Sequence, residues 1–110
     1  MQNPRKLILS KEYLDCPIKK SMSIIGGKWK IFIIWILLQN EDVRYSDLKK
    51  NIDGITDMML SQCLKELEKD NVIRRIQYNE VPLRVEYSLT DNGKKLSNIM
   101  KELSLWGRIQ

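Results

Sequence analysis

Residues 45–70 have the sequence YSDLKKNIDGITDMMLSQCLKELEKD, and this stretch decides the fold. Ser46 is a suitable N-cap for a first helix that runs to about residue 52, and the turn Asp53-Gly54 follows it. Thr56 is a suitable N-cap for a second helix that ends near Asn71. Apolar side chains recur in this second helix at helical spacing: Leu60, Leu64 and Leu67. Two capped helices around a glycine-containing turn predict a helix-turn-helix.

The residues before this stretch predict two further helices. Pro17 suits the first turn of a helix, because the N–H that proline lacks would have no partner there, and Gly26-Gly27 ends that helix. Residues 28–39 are apolar on nearly every side, which is typical of a helix buried in the middle of a domain. Val43 to Tyr45 are expected to form a short extended segment, and residues 1–15 an irregular N-terminal arm.

The residues after it predict a β-hairpin and a terminal helix. Residues 72–78 and 84–89 are rich in Val, Ile and Tyr, and the connection between them contains Pro82 and is too long for a two-residue turn. We therefore expect a protruding tip at residues 79–83, in the position of a wing. Thr90 is expected to cap one long C-terminal helix.

These elements predict a mainly α fold with a small β-hairpin: a winged helix-turn-helix with N- and C-terminal dimerisation helices. The predicted organisation is an arm at residues 1–15, a DNA-binding domain with terminal dimerisation helices at residues 16–107, and a C-terminal end at residues 108–110. A chain of 110 residues with 43% hydrophobic and 30% charged positions has the size and composition expected of one domain.

The composition argues against catalysis. The chain contains no histidine and only two cysteines, Cys16 and Cys63, which removes the usual general base and most zinc sites. We therefore expect no enzymatic activity, no metal and no cofactor. The segment Gly26-Gly27-Lys28 does not match a phosphate-binding loop, whose first glycine would fall at Met22 and whose Ser or Thr would fall at Trp29.

The net charge of +5 and the pI near 9.3 suit a polyanionic partner such as nucleic acid. The excess is N-terminal, since residues 1–30 hold seven basic and two acidic residues whereas residues 31–110 hold twelve of each. The strongest apolar run, Ile31 to Leu38, is too short to span a bilayer, and the chain has no alanine for a usual signal-peptide cleavage site. We expect a cytoplasmic protein with no membrane partner.

In the predicted fold, the second helix of the pair lies in the major groove of double-stranded DNA. With its leucines facing inward, the exposed side of its N-terminal half comprises Asp57, Met58, Ser61, Gln62 and Lys65. Gln62 can pair with adenine edges, Ser61 with bases or phosphate, and Met58 can contact a thymine methyl. The capping residues Ser46 and Thr56 belong to the same candidate interface.

Phosphate contacts are expected from basic residues outside this helix, because the helix is not a basic patch. Its acidic residues outnumber Lys65 and Lys69: Asp57, Glu66, Glu68 and Asp70. The basic candidates are Lys28, Lys30, Arg44, Lys49, Lys50, Arg74, Arg75 and Arg84. Arg84 is the strongest because it follows the tip, although a solvated surface charge is an equally good interpretation of any one of them. The acidic helix also leaves open a winged-helix module that binds proteins without specific DNA binding.

Several segments resemble the HxlR-type winged-helix regulators, which are related to MarR-like regulators. They are Cys16-Pro17-Ile18, residues 24–30 with Gly-Gly-Lys-Trp, residues 45–49, Gly54-Ile55-Thr56, Met59-Leu60, residues 64–68, and residues 80–90 with Val-Pro-x-Arg-Val-Glu-Tyr-x-Leu-Thr. The resemblance covers roughly residues 15–107. It implies a prokaryotic homodimeric transcription factor, repressor or activator, that binds operator DNA with helix 57–70 and the wing at 79–84. Family members often carry basic or amide residues where Asp57 and Met58 stand in this sequence.

Apolar stripes on the terminal helices exceed what one small core needs. They are Ile18, Met22 and Ile25 in the N-terminal helix, and Leu96, Ile99, Met100, Leu103 and Trp106 in the C-terminal helix. A two-fold homodimer would cover them and set two recognition helices about 34 Å apart, which predicts a palindromic operator. Packing of both stripes within one chain is the alternative.

Cys16 is the candidate for sensing an oxidant. It stands at a predicted N-cap with Lys19 and Lys20 one turn on, an environment that favours the thiolate. Some HxlR-type relatives use a cysteine at this place as a thiol switch; a packed cysteine that never reacts is the alternative. A small-molecule effector at the dimer interface is also compatible with the sequence, whereas Cys63 is expected to act as a small hydrophobic residue.

Overall fold

The computed structural model describes residues 16–110, in which helices pack around a small antiparallel sheet. The helices are α1 (Pro17–Ile25), α2 (Lys30–Gln39), α3 (Tyr45–Asn51), α4 (Asp57–Lys69), α5 (Asp91–Lys94) and α6 (Ser97–Arg108). The strands are β1 (Val43–Arg44), β2 (Ile73–Tyr78) and β3 (Arg84–Leu89). This is the element order of the predicted winged helix-turn-helix. The predicted arm at residues 1–15 lies outside the described residues.

The helix-turn-helix consists of α3, the turn after it, and α4. The Thr56 hydroxyl accepts a hydrogen bond of 3.1 Å from the Met59 N–H, so the predicted cap of α4 is confirmed. Gly54 in the turn has φ of +82°, a backbone conformation that residues with a Cβ rarely adopt. The predicted cap at Ser46 is wrong: Arg44, the last residue of β1, is the extended N-cap, and Ser46 already lies inside α3.

The centre of the core is α2. Ile33, Ile34 and Leu37 of this helix are buried, as its apolar sequence predicts. The helix begins at Lys30, two residues later than expected, because Gly27 has φ of +98° and Trp29 serves as the N-cap. Among the described residues no single helix is long and apolar enough to cross a membrane; α1 and α2 reach that length only as a pair bent by 84°.

The sheet has the strand order β1-β3-β2, with both pairings antiparallel. The predicted hairpin is confirmed, with Ile73 opposite Leu89 at its base and Tyr78 opposite Arg84 near its tip. The extended segment predicted at 43–45 adds a short third strand that pairs Val43 with Tyr87 and ends at Arg44. The wing is therefore anchored on both sides of β3, and its tip residue Val81 is fully exposed.

The C-terminal helix is broken, whereas the sequence predicts one long helix. The cap is confirmed, since the Thr90 hydroxyl accepts a 3.0 Å hydrogen bond from the Gly93 N–H. However, α5 ends at Lys94, and a 3₁₀ turn follows it. In this turn the Lys95 N–H donates to the Asn92 carbonyl and the Leu96 N–H to the Gly93 carbonyl. The C-terminal segment is therefore two helices, α5 and α6.

Candidate nucleic-acid interface

The N-terminal half of α4 presents a row of solvent-accessible side chains. Opposite that row, the helix is anchored in the core by Leu60, Cys63, Leu64 and Leu67. Met58 is 80% exposed; Asp57, Gln62 and Lys65 are also exposed, and Ser61 is half-buried. The structure therefore places the five predicted reading residues on one accessible side, which we name the reading face.

Tyr45 connects α3 to one edge of the reading face. Its hydroxyl donates a 2.8 Å hydrogen bond to the Asp57 Oδ1 and lies 3.4 Å from the Ser61 Oγ. Burial raises the pKa of the Tyr45 phenol, so the hydroxyl keeps its proton and remains a donor. This role of Tyr45 was not predicted from the sequence, where Tyr45 was assigned to the extended segment; the available signal is a tyrosine at the start of the helix before the recognition helix.

A second polar chain meets the opposite edge of the reading face. Glu66 lies 2.6 Å from the Lys30 Nζ through one carboxylate oxygen and accepts a 2.6 Å hydrogen bond from the Gln62 Nε2 through the other. Lys30 is only 8% exposed. The expectation that Lys30 contacts phosphate is therefore corrected: its ammonium is enclosed and already paired with Glu66.

A cleft of about 560 Å³ with mixed polar and apolar lining separates the start of α3 from the wing. It is lined by Arg44, Tyr45, Ser46, Arg75, Glu80, Pro82, Leu83, Arg84, Val85 and Tyr87. Three arginines and a serine hydroxyl along one cleft form a surface that suits a phosphate chain. The cleft opens beside the N-terminal end of α4, because Tyr45 contacts both.

Arg84 is the most constrained of these arginines. Its guanidinium lies 2.9 Å from the Glu80 carboxylate and 4.0 Å from the centre of the Tyr78 ring, and its Nε is 3.4 Å from the Glu86 carboxylate. Two carboxylates therefore offset its charge, and its guanidinium contacts Tyr78 and Glu80 of the wing. Its rank as the strongest phosphate contact stays a prediction, and a paired guanidinium attracts phosphate less than a free one.

Arg44 and Arg75 are more accessible than Arg84. Arg44 is exposed, and its Nε lies 3.9 Å from the Glu86 carboxylate, which is too long for a hydrogen bond. Arg75 donates a 3.0 Å hydrogen bond to the Gln77 Oε1. The Lys28 ammonium lies 4.7 Å over the Trp29 ring, and Lys49 is half-buried. Arg44 and Arg75 are thus the cleft arginines with the most available charge.

The predicted dimerisation residues fall into two groups. Exposed apolar side chains are Ile18 and Met22 on α1, and Ile99, Leu103 and Trp106 on α6. Met100 is only 3% exposed, and Leu96 is half-buried against the core. The assignment of Met100 to a dimer surface is therefore corrected, because it contributes to the core of its own chain.

The two cysteines differ in their surroundings. Cys16 is half-buried at the N-cap of α1, and Cys63 is buried in α4. Burial raises the pKa of the Cys63 thiol, which is consistent with the role of a small core residue. In residues 16–110 no cluster of histidine, cysteine or carboxylate side chains is arranged to hold a metal ion.

Comparison with known proteins identifies the family. The model of the HxlR-like helix-turn-helix family matches residues 24–110. This chain belongs to the HxlR-like helix-turn-helix family. An uncharacterized HTH-type transcriptional regulator of Halalkalibacterium halodurans is 45% identical over 97 residues, 88% of this chain and 86% of the relative. The YdzF regulator of Bacillus subtilis is 43% identical over 96 residues, 87% and 88% of the two chains.

A solved structure confirms the fold of this HxlR-like chain. The redox regulator HypR in its oxidized form superposes with a TM-score of 0.80 at 35% identity, over 86% of this chain and 97% of HypR. The winged helix-turn-helix predicted from the sequence is thereby confirmed, as is the resemblance on which it partly rested.

Proposed function

We propose that this HxlR-like chain is a transcriptional regulator that binds operator DNA as a homodimer, repressing or activating according to where the operator lies. The observation that carries the proposal is the reading face, an accessible row on a capped helix that the core holds rigidly from behind. In a winged helix-turn-helix this helix enters the major groove. Its curated relatives carry the description of transcriptional regulators.

The wing cleft is the proposed site for the flanking phosphates. Arg44 and Arg75 supply the most available charge, Ser46 a hydroxyl and Lys49 a further cation, while Arg84 holds the wing in shape. Lys28, whose ammonium lies over the Trp29 ring, is a further candidate for a phosphate contact. Because Asp57 and Glu68 are repelled by phosphate, affinity in this proposal depends on the cleft, and base preference depends on the reading face.

The second part of the proposal is the homodimer. The exposed apolar residues of α1 and α6 would pack against their copies around a two-fold axis, which would present two reading faces to successive turns of a palindrome. Such a regulator works beside the chromosome, in the cytoplasm of a prokaryotic cell. It needs neither catalysis, nor a cofactor, nor a membrane.

A signal would enter through Cys16 or through a ligand. Cys16 is the N-cap of α1, a proposed dimer helix, so oxidation there would alter how the two subunits are held. HypR, which shares this fold, is described as a redox regulator. A small effector would suit a second cleft of about 290 Å³, whose apolar lining includes Trp29, Phe32 and Trp35.

The test is a titration of purified protein against the promoter DNA next to its own gene, at two salt concentrations and with unrelated duplex as competitor. We expect tight, salt-sensitive binding that resists the competitor, with two subunits per site. Arg44→Ala should weaken binding to all duplexes, and Lys94→Ala on α5, which removes one positive charge from a position that does not line the cleft, is the control. Salt-insensitive binding, or equal binding to every duplex, would contradict the proposal.

The acidic character of α4 favours a second candidate, a winged-helix module that binds proteins. Asp57, Glu66, Glu68 and Asp70 on one helix suit a basic protein surface better than a phosphate backbone. The titration separates the two candidates, since the second predicts no preferred palindrome.

A further inference from the structure

A polar relay connects the interior of the domain to the reading face. Its members are Lys30 on α2, Glu66 on α4, and Gln62 one turn before Glu66. Both contacts are short, 2.6 Å from the Lys30 Nζ to one Glu66 oxygen and 2.6 Å from the other Glu66 oxygen to the Gln62 Nε2. The relay therefore uses both oxygens of a single carboxylate.

The relay is anchored at its inner end. Lys30 is buried at the first turn of the core helix. If its ammonium moved away from Glu66, a buried charge would be left without a partner. Glu66 remains an acceptor, because the hydrogen bonds from Lys30 and Gln62 hold the pKa of its carboxyl below the usual value. A carboxylate fixed in this way accepts hydrogen bonds and donates none.

This arrangement gives the Gln62 amide one orientation. A rotated amide would bring its carbonyl oxygen against the Glu66 oxygen, two acceptors in contact. In the observed orientation one N–H of Nε2 is bound to Glu66, while the carbonyl oxygen and the second N–H remain available to a ligand. Gln62 is exposed, so it offers an acceptor and a donor to the groove in a fixed order.

We propose that Glu66 and Lys30 are positioning residues that set the base preference at one base pair of each half-site, through the orientation of Gln62. The preferred base is adenine, whose N6 amino group donates to the Gln62 carbonyl while its N7 accepts from the second N–H. The inference rests on the proposed function. This role explains why an acidic side chain lies beside the reading face: Glu66 orients Gln62, whereas phosphate is bound by residues of the cleft.

The experiment selects duplexes from a library randomised over ~20 base pairs, about two helical turns, and compares the parent with Glu66→Gln, Gln62→Ala, and both together. The single oxygen of a glutamine at position 66 is taken by Lys30, so its N–H₂ faces Gln62 and the observed orientation of the Gln62 amide is no longer favoured. Glu68→Gln is the matched control, because it removes the same charge from an exposed position on the same helix. Thermal unfolding of each variant verifies that it is folded.

We expect the parent to prefer one base pair at the Gln62 position by roughly ten-fold or more. Glu66→Gln should lower that ratio towards the value of Gln62→Ala and leave the other positions unchanged, while Glu68→Gln keeps the parent profile. Adding Glu66→Gln to Gln62→Ala should change nothing further, since the relay acts only through Gln62.

Two results would overturn the inference while leaving the proposed function intact: a parent-like profile in Glu66→Gln, or an equal loss of preference at every position. If the parent selects no motif while still binding duplex, the inference fails together with sequence-specific regulation. If the parent binds no duplex, the proposed function itself fails, and the relay has no base preference to set.

Discussion

Tyr45 is a single residue on which the arrangement of the reading face depends. Its hydroxyl lies between the Asp57 carboxylate and the Ser61 hydroxyl. We expect Tyr45→Phe to cost about 1 kcal/mol of folding free energy, the usual net value of one hydrogen bond. Freed from Tyr45, Asp57 and Ser61 should take up several orientations, and base preference near the start of α4 should fall several-fold.

The measurement for Tyr45 combines chemical denaturation with selection from a randomised duplex library. Tyr78→Phe is the control, because it removes a hydroxyl but retains the ring beneath Arg84. A parent-like base preference in Tyr45→Phe would contradict the role that we assign to its hydroxyl.

The two thiols should differ in reactivity. Burial raises the pKa of Cys63, so at neutral pH a smaller fraction is thiolate, and the buried sulfur is also inaccessible. We expect iodoacetamide at neutral pH to alkylate Cys16 at least ~10-fold faster than Cys63 in the native protein, measured by mass spectrometry of the two peptides. In denaturant both should react alike. Equal native rates would mean that Cys63 is exposed by local opening of α4.

Residue roles that depend on local sequence could be predicted, and those that depend on distant partners could not. Thr56 and Thr90 each cap a helix through an N–H three residues later, which is a local signal. The enclosure of Lys30 depends on Glu66, thirty-six positions along the chain, and no spacing rule indicates that pairing. The pairing of Arg84 with Glu80 and Glu86 was also not predicted, although both glutamates are near it in the sequence.

At the scale of elements, the break between α5 and α6 is the clearest difference from the sequence-based expectation. The periodicity of residues 90–108 favours one helix, and no local residue forbids it. The short helix α5 is instead fixed by tertiary contact, since Gly93 packs against the carbonyl of Val72, the residue just before β2. The start of α3 likewise moves because β1 pairs with β3 up to Arg44.

The contact at Gly93 makes a prediction about α5. A Cβ at this position would collide with the Val72 carbonyl oxygen and lie 3.0 Å from a Leu89 methyl. We expect Gly93→Ala to destabilise the protein by ~1–3 kcal/mol, the usual cost of overpacking, in spite of the better helix propensity of alanine. Gly107→Ala on α6 is the matched control, because no atom lies within 4 Å of a Cβ there.

Thermal and urea unfolding of the two glycine variants measure the difference. Gly107→Ala should be unchanged or slightly more stable, as expected for alanine in an open helical position. If Gly93→Ala were as stable as the parent, α5 would have to move away from Val72 at no cost, and the tertiary explanation for the break would be wrong.

At the scale of the whole molecule, the reading face could be predicted and the dimer surface only in part. The side of α4 away from its leucines follows from helical periodicity alone. The stripe on α6 combines two surfaces that periodicity cannot separate: Met100 points into its own core, while Leu103 and Trp106 remain exposed. The position of α6 after the break at residues 95 and 96 determines which of its apolar residues are buried in the core of the same chain.

The homodimer gives the prediction at this scale. Leu103 is exposed on the stripe shared with Ile99 and Trp106, so a charge there would have to be buried without a partner in the proposed interface. We expect Leu103→Glu to raise the dimer dissociation constant by at least ~30-fold, the effect of losing about 2 kcal/mol at an interface hot spot. Sedimentation across a range of protein concentrations measures this constant.

Leu105→Glu is the control, because Leu105 is also an exposed leucine of α6 but lies nearly opposite to Leu103 around the helix. It should sediment as the parent does. Since each half-site alone binds weakly, Leu103→Glu should also lose affinity for a palindrome while its affinity for one half-site stays unchanged. If Leu103→Glu remained dimeric and bound the palindrome with full affinity, the two-fold axis would not pass through α6, and the proposed dimer interface would be wrong.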